Sequence, residues 1–192
     1  MTINAEDLLR SVLESFDRID YIKPDEIPDI DLYMDQVTTF MDTHLSASKR
    51  YPDDKILTKT MINNYTKAGL MPPPEKKKYS KEHMLMLIFI YYFKNILSIS
   101  DLQQVLHPLQ EKYFSSDGDI SLTDIYNEVF SLEKNAIADL AADFKEKFKQ
   151  SQNTFQDAPA EDKELLQNFS MICMLSFDVF MKKMLIEKMI DM

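Results

Sequence analysis

Polar and cationic side chains recur at helical spacing between two proline-containing segments of the chain. They are Lys59, Thr60, Asn63, Thr66 and Lys67. At about 100° per residue they share one side of a helix, whereas the apolar residues between them fall on the other side. In a major groove, lysine meets phosphates or guanine, asparagine pairs with adenine, and threonine bonds to phosphates. The alternative interpretation is an ordinary amphipathic helix at the protein surface.

Basic residues are concentrated in the same part of the chain. Residues 49–83 carry 9 basic and 4 acidic groups, a charge of +5, within a chain of formal net charge −10. Residues 1–48 carry 3 basic and 11 acidic groups, and residues 107–192 carry 9 and 16. A protein that meets a polyanion with one face needs such segregation. The alternative is that these basic residues form a solvated surface and balance the charge of acidic residues near them in the fold.

The groupings that enzymes and metal sites use are missing from the sequence. Cys173 is the single cysteine, and the three histidines, His44, His83 and His107, are widely separated. No thiolate or zinc-binding pattern therefore arises. With 2 glycines in the whole chain, the phosphate loops of dinucleotide-binding and P-loop proteins are absent as well. Because no Ser/His/Asp or Cys/His grouping emerges, we expect no catalysis, no cofactor and no metal.

Helical periodicity predicts an all-α fold. The expected helices cover residues 5–16, 31–44, 58–69, 80–96, 98–106, 121–150 and 161–190. Gly69 and the prolines that follow it end the third helix, and Ser80 caps the fourth. The apolar run MLMLIFIYYF is half as long as a membrane span, so we expect a buried helix there. The N-terminal segment MTINAEDLLRSVLESF lacks a basic region before an apolar core, so the prediction is a cytoplasmic protein that does not bind membranes.

A predicted helix, a proline run and a lysine cluster follow one another in LTKTMINNYTKAGLMPPPEKKKYSKEH, residues 57–83. This order resembles the N-terminal winged helix-turn-helix of MerR-type transcription regulators, in which a recognition helix leads through proline to a small basic wing and two further helices. The matching residues are Ile62, Tyr65, Gly69, Leu70, Pro72, Pro73, Tyr79, Leu87, Ile90, Ile99, Leu102 and Leu106. Together with LYMDQV at residues 32–37, the motifs LTKTMINNYTK and KKKYSKEH are also similar to a bacterial domain-of-unknown-function family, numbered eighteen thirty-six, that carries this segment. This resemblance covers residues 30–110.

The resemblance implies a recognition helix at about residues 58–68 and a basic wing at residues 76–79. The DNA-contacting residues would be Thr58, Lys59, Thr60, Asn63, Thr66, Lys67, Lys76, Lys77, Lys78 and Tyr79. Two features depart from the MerR pattern. Asn63 stands where that family usually has an arginine, and so few residues precede Tyr79 that a full two-stranded hairpin is not expected.

The last predicted helix is apolar on more than one face. Either it runs through its own helical bundle, or one side meets the same helix of a second chain. The resemblance favours the second arrangement, because MerR-type regulators pair through C-terminal helices. We therefore expect a helix-turn-helix domain at residues 1–110, a bundle or dimerisation region at 111–192, and a homodimer that binds double-stranded DNA. The acidic remainder of the chain favours the alternative, a protein-interaction module that keeps this scaffold without binding DNA. The sequence identifies no small-molecule effector.

Overall fold

The computed structural model describes residues 5–16, 21–115 and 118–192, and these are mostly helical, as predicted. The helices are α1 (Ala5–Phe16), α2 (Met34–His44), α3 (Lys59–Lys67), α4 (Lys81–Phe93), α5 (Ile99–Tyr113), α6 (Leu122–Ser131), α7 (Glu133–Gln152) and α8 (Ala160–Ile190). Two short strands, β1 (Leu32–Tyr33) and β2 (Lys78–Tyr79), pair antiparallel. Leu32 lies opposite Tyr79, and Tyr33 lies opposite Lys78.

The chain divides into two compact units. One contains α1, α7 and nearly all of α8, and the other contains the two strands and the helices α2 to α6. The chain passes from the second unit to the first at Leu132 and returns to the second at Ile190. The domain boundary predicted at residue 110 falls inside α5.

Helix α4 is the centre of the second unit. Every residue from His83 to Ile90 is buried, which confirms the buried helix predicted for the apolar run. The other helices of the unit each contribute buried side chains to the same core, among them Val37, Met41, Ile62, Tyr65, Leu102, Leu106, Tyr126 and Phe130. Each large apolar side chain buried in this way contributes about 1.5–3 kcal/mol. The core thus holds α2 and α3 against a common support.

Two predicted helices have different bounds in the structure. Helix α5 continues through Pro108 to Tyr113 instead of ending near residue 106. The ring of Pro108 is exposed, and Leu109 and Tyr113 pack against the core, which offsets the cost of proline within a helix. The single helix predicted over residues 121–150 is interrupted at Leu132, just beyond Phe130, where the core-facing residues of α6 end.

The connection between α2 and α3 is long, and hydrogen bonds from residues at the end of α4 hold it. It spans residues 45–58, whereas the turn of a helix-turn-helix commonly has 3–4 residues. The Lys94 ammonium donates to the carbonyl oxygen of Ile56 at 2.7 Å and lies 4.8 Å from the centre of the Tyr91 ring. The Tyr91 hydroxyl also bonds to that of Ser48. Burial lowers the pKa of Lys94.

In the first unit, α7 and α8 form an antiparallel pair. The Gln167 amide donates to the carbonyl oxygen of Gln152 at 2.8 Å, and Lys147 lies 2.8 Å from the Asp178 carboxylate. Hydrogen bonds from Lys147 to Asp143 and Asp178 raise its pKa. These contacts fix which side of α8 faces α7.

The opposite side of α8 is apolar and exposed. Leu165, Phe169, Ile172 and Val179 are between 59% and 68% exposed. At about 100° per residue, they lie across the helix from the side that carries Gln167. We call these four residues the outer stripe of α8. Among the described residues, no helix is both long and apolar enough to cross a bilayer.

Candidate nucleic-acid interface

Helix α3 presents the predicted polar row to solvent. The Thr58 side chain caps the helix by accepting a hydrogen bond from the Met61 amide at 3.2 Å. Ile62 and Tyr65 are buried on the core side. The opposite side exposes Lys59, Thr60, Asn63 and Lys67, and we call it the outer face of α3.

Two threonines that flank the outer face of α3, Thr58 and Thr66, already form hydrogen bonds within their own helix. Thr58 is the cap, and the half-buried Thr66 donates its hydroxyl to the carbonyl oxygen of Ile62 at 3.3 Å. Beyond the helix, Gly69 adopts a φ of 70°, a left-handed conformation that favours glycine. The Leu70 amide then donates to the carbonyl oxygen of Tyr65 at 2.9 Å and turns the chain towards the prolines.

The lysine cluster forms a tight turn, which we call the lysine turn (Glu75–Lys78). The Lys78 amide donates to the carbonyl oxygen of Glu75 at 2.8 Å, and the two residues pair as a β-bridge. Lys76 and Lys77 have φ values of 47° and 66°. Positive φ at both central residues is the type I′ geometry of two-residue hairpins, which normally selects asparagine and glycine. A minimal hairpin thus forms with two lysines at its tip.

The start of α2 links the lysine turn to α3. Tyr33 pairs with Lys78 across the two strands, and the Lys78 ammonium lies 5.4 Å from the centre of the Tyr33 ring. Two residues further along, Asp35 forms an ion pair with Lys59 at the start of α3. The segment 33–35 therefore contacts a basic residue from each part of the predicted interface. The structure brings the two parts into one neighbourhood.

Tyr79 differs from the other predicted DNA-contacting residues because its side chain is in the core. It is 3% exposed and meets the His83 ring edge to face, with 5.4 Å between the ring centres. Burial raises the pKa of the Tyr79 phenol. In this structure, Tyr79 anchors the lysine turn to α4 and is not presented on the surface. Lys76 and Lys77 are exposed, and Lys78 is half-buried.

His83 supports the lysine turn through its contact with Tyr79, a role that the sequence did not predict. It is 4% exposed, and its Nδ1 atom accepts a hydrogen bond from the Ser80 amide at 3.0 Å. Burial lowers the pKa of His83, while the carbonyl groups of Pro72 and Pro73 act in the opposite direction. The spacing Ser80-x-x-His83 is the sequence signal that could have identified this cap, since Ser98 and Asp101 share it.

The comparisons with known proteins identify a family. A family model described as Domain of unknown function (DUF1836) matches residues 22–129. The chain belongs to this family. No curated protein and no solved structure matches the chain.

The DUF1836 match lies within the second compact unit, which comprises residues 20–131 and 190–192. The outer face of α3 and the lysine turn both lie within it. Across the described residues, no three His, Cys, Asp or Glu side chains are grouped closely enough to hold a metal ion. The side chains that this surface offers are lysine ammonium groups, a threonine hydroxyl, an asparagine amide and the carboxylates of Asp35 and Glu75.

Proposed function

We propose that the DUF1836 domain binds double-stranded DNA as a winged helix-turn-helix, with α3 as the recognition helix and the lysine turn as the wing. The observation that carries this proposal is the link through residues 33–35, which contact Lys59 of α3 and Lys78 of the turn. The order β1, α2, α3, lysine turn, β2, α4, α5 supports it. This order matches the recognition helix, basic wing and two further helices of the MerR-type pattern.

The outer face of α3 and the lysine turn would make different contacts with DNA. Asn63 is exposed near the middle of the outer face of α3, where an amide can form a bidentate pair with adenine. Lys76 and Lys77 at the tip of the lysine turn offer point charges that suit phosphate groups. Phosphate contacts position a protein on the duplex, whereas base contacts give specificity.

A homodimer formed through the outer stripe of α8 belongs to the same proposal. Soluble monomers seldom expose apolar patches beyond a few hundred Å², and a large apolar side chain contributes on the order of 150 Å². Four such side chains, 59–68% exposed on one side of a helix, form an apolar patch of about 400 Å², a size that on soluble proteins often marks an interaction site. Two copies of α8 related by a two-fold axis would cover each other's outer stripe, because such an interface uses the same surface on both chains. Two copies of α3 would then favour a palindromic operator.

Two observations favour the competing function, a protein-interaction module on the same scaffold. Asp35 pairs with Lys59, and Glu75 begins the lysine turn, so carboxylates lie among the basic residues of the surface. The chain as a whole carries a formal charge of −10. Both features oppose binding to duplex DNA and suit a partner of mixed charge.

Fluorescence anisotropy with the duplex upstream of the protein's own gene distinguishes the two functions. Binding that neutralises about four to six phosphates gives a log-log salt slope of roughly −4 to −5. The test variant replaces Lys76, Lys77 and Lys78 by glutamine. The control replaces Lys145, Lys149 and Lys188, three exposed lysines of the first unit, in the same way. Both variants remove three positive charges.

The DNA-binding proposal expects the test variant to lose affinity and to flatten the salt slope, while the control stays close to the parent protein. Equal losses in the two variants would assign the effect to net charge alone. Absence of binding by folded protein at low salt would exclude the regulator function and leave the interaction module.

A further inference from the structure

The connection between α2 and α3, residues 45–58, is a long loop with a defined backbone, and the functions described above make no use of it. Hydrogen bonds from residues at the end of α4 hold both of its flanks. Its tip closes on itself, because the Tyr51 amide donates to the Asp54 carboxylate at 2.9 Å and the Asp54 amide donates to the carbonyl oxygen of Tyr51 at 3.0 Å. Long loops of this kind often carry function.

Arg50 lies at the tip of this loop and is the single arginine in residues 22–129, the range of the DUF1836 match. Its side chain is exposed, and its guanidinium lies 5.2 Å from the centre of the Tyr51 ring. An aromatic ring attracts a guanidinium without occupying its N–H donors. A guanidinium binds phosphate through two parallel hydrogen bonds, whereas an ammonium group acts as a point charge. Arg50 therefore offers a phosphate contact that the lysines of α3 and of the lysine turn cannot make.

Helix α2 places the loop beside the start of α3. Its Asp42 forms an ion pair with Lys49 of the loop at 2.7 Å, and its Asp35 forms an ion pair with Lys59 of α3. The two aspartates are seven residues apart, which is close to two helical turns, so they lie on one face of α2 about 10 Å apart. About 10 Å corresponds to about three phosphates along one strand of duplex DNA. Lys49 precedes Arg50 directly, so a duplex bound at α3 is within reach of the loop.

The charges exposed at the tip suit an anion. Residues 45–58 carry three cations and two carboxylates. The carboxylate of Asp54 is half-buried and accepts from the backbone of the turn, so it contributes less to the surface. The exposed charged side chains of the tip are Arg50, Lys55 and Asp53. The surface around Arg50 is therefore slightly positive in a chain of formal net charge −10, which favours a phosphate partner.

We propose that Arg50 binds a phosphate of the duplex beside the bases that α3 contacts, and that Tyr51 is its positioning residue. The inference rests on the proposed function and adds a third contact to it. Tyr33, Asp35 and Asp42 contact basic residues of the lysine turn, of α3 and of the loop, in that order along the chain. A phosphate contact positions a protein on DNA and carries no sequence information.

Fluorescence anisotropy of the full chain with the duplex upstream of its own gene, and with random duplex, tests the proposal across a salt series. Arg50→Ala should weaken both complexes by about tenfold and reduce the magnitude of the log-log salt slope by about 0.9. Arg50→Lys keeps the charge, so the salt slope should remain while the affinity still falls by about threefold. Lys145→Ala, at an exposed position of α7, is the control for loss of one charge and should bind like the parent.

Variants of Tyr51 test the positioning role. Tyr51→Phe keeps the ring and should bind DNA like the parent, whereas Tyr51→Leu should weaken binding by about threefold. In the Arg50→Ala protein, Tyr51→Leu should have no further effect, because the ring acts through the guanidinium. Both side chains are exposed, so the thermal unfolding midpoints of these variants should stay close to that of the parent.

DNA binding by Arg50→Ala that matches the Lys145→Ala control would overturn the inference and leave the proposed function intact. Parent-like affinity of Arg50→Lys would show that a point charge is sufficient and would overturn the bidentate contact. A loss confined to the preferred duplex would assign Arg50 to base recognition and overturn the phosphate contact. An equal effect of Tyr51→Leu with and without Arg50 would overturn the positioning role. Absence of DNA binding by the folded parent would overturn the proposed function and this inference together.

Discussion

The ammonium group of Lys78 lies 5.4 Å from the centre of the Tyr33 ring. A contact of this kind contributes about 0.5–1 kcal/mol at an exposed site. Tyr33 is also the residue that pairs with Lys78 in the two-stranded sheet and that precedes α2. The same residue thus holds the end of the lysine turn and leads into the helix that contacts α3.

Replacing Asn63 by alanine should weaken binding to the preferred DNA site by about 1–3 kcal/mol and leave binding to random DNA nearly unchanged. In the proposed complex with DNA, the Asn63 amide on the outer face of α3 contacts a base and not the phosphate backbone. Asn64→Ala is the matched control, since Asn64 is exposed on the same helix but lies outside the polar row. Competition anisotropy with specific and random duplexes measures both. An equal loss of affinity for the two duplexes would show that Asn63 does not contact a base.

Replacing Lys76 by asparagine and Lys77 by glycine should stabilise the fold and weaken DNA binding. Asparagine and glycine fit the positive φ values of the turn, so the free energy of unfolding should rise by about 1–2 kcal/mol. Loss of two phosphate contacts should reduce the salt slope by about two.

The control for this variant is glutamine at both positions. It removes the same charges but keeps the Cβ atoms, so it should reduce DNA binding equally without the gain in stability. Urea denaturation and salt-dependent anisotropy are the two measurements. If the Asn-Gly variant were no more stable than the glutamine variant, the turn would not have the geometry described.

Stability should fall as the pH decreases below the ordinary histidine pKa of about 6.5, because burial lowers the pKa of His83. The unfolded chain then binds a proton that the folded chain excludes. The contribution of His83 to the free energy of unfolding is complete above its pKa in the unfolded chain. This contribution is lost as the pH falls towards its lower pKa in the folded chain. The free energy of unfolding changes through His83 by at most about 1.4 kcal/mol per pH unit.

Urea unfolding between pH 5 and about pH 7.5 tests this dependence. His83→Asn should flatten the dependence of the free energy of unfolding on pH. A parent profile that is unchanged by His83→Asn would show that other groups cause the acid sensitivity.

Introducing a charge into the outer stripe of α8 should separate the two chains of the proposed dimer. Phe169→Glu places a carboxylate on a side chain that is 59% exposed and lies away from α7. Lys145→Glu, at an exposed position of α7, is the control. Sedimentation equilibrium at micromolar concentration should give a dimer for the parent and the control and a monomer for Phe169→Glu. A monomeric parent would contradict the dimer and the palindromic operator together.

Local signals in the sequence determined most of the helices. Gly69 and the prolines after it ended α3 because glycine accepts a left-handed conformation and proline cannot continue a helix. Periodicity separated the outer face of α3 from Ile62 and Tyr65, since the two sets of residues fall on opposite sides of a helix. The DUF1836 family was also predicted from the sequence, and the family match over residues 22–129 confirms it.

Tertiary structure alone decided the rest. Whether Tyr79 is exposed depends on α4, which is contributed by a later part of the chain and covers the ring with His83. Pro108 lies within α5 because packing of Leu109 and Tyr113 on the core outweighs a local preference to end the helix. Side chains that are far apart in sequence, such as His83 and Gln110, line one cavity of the DUF1836 domain. No periodicity encodes such a juxtaposition, because it arises only when separate helices pack together.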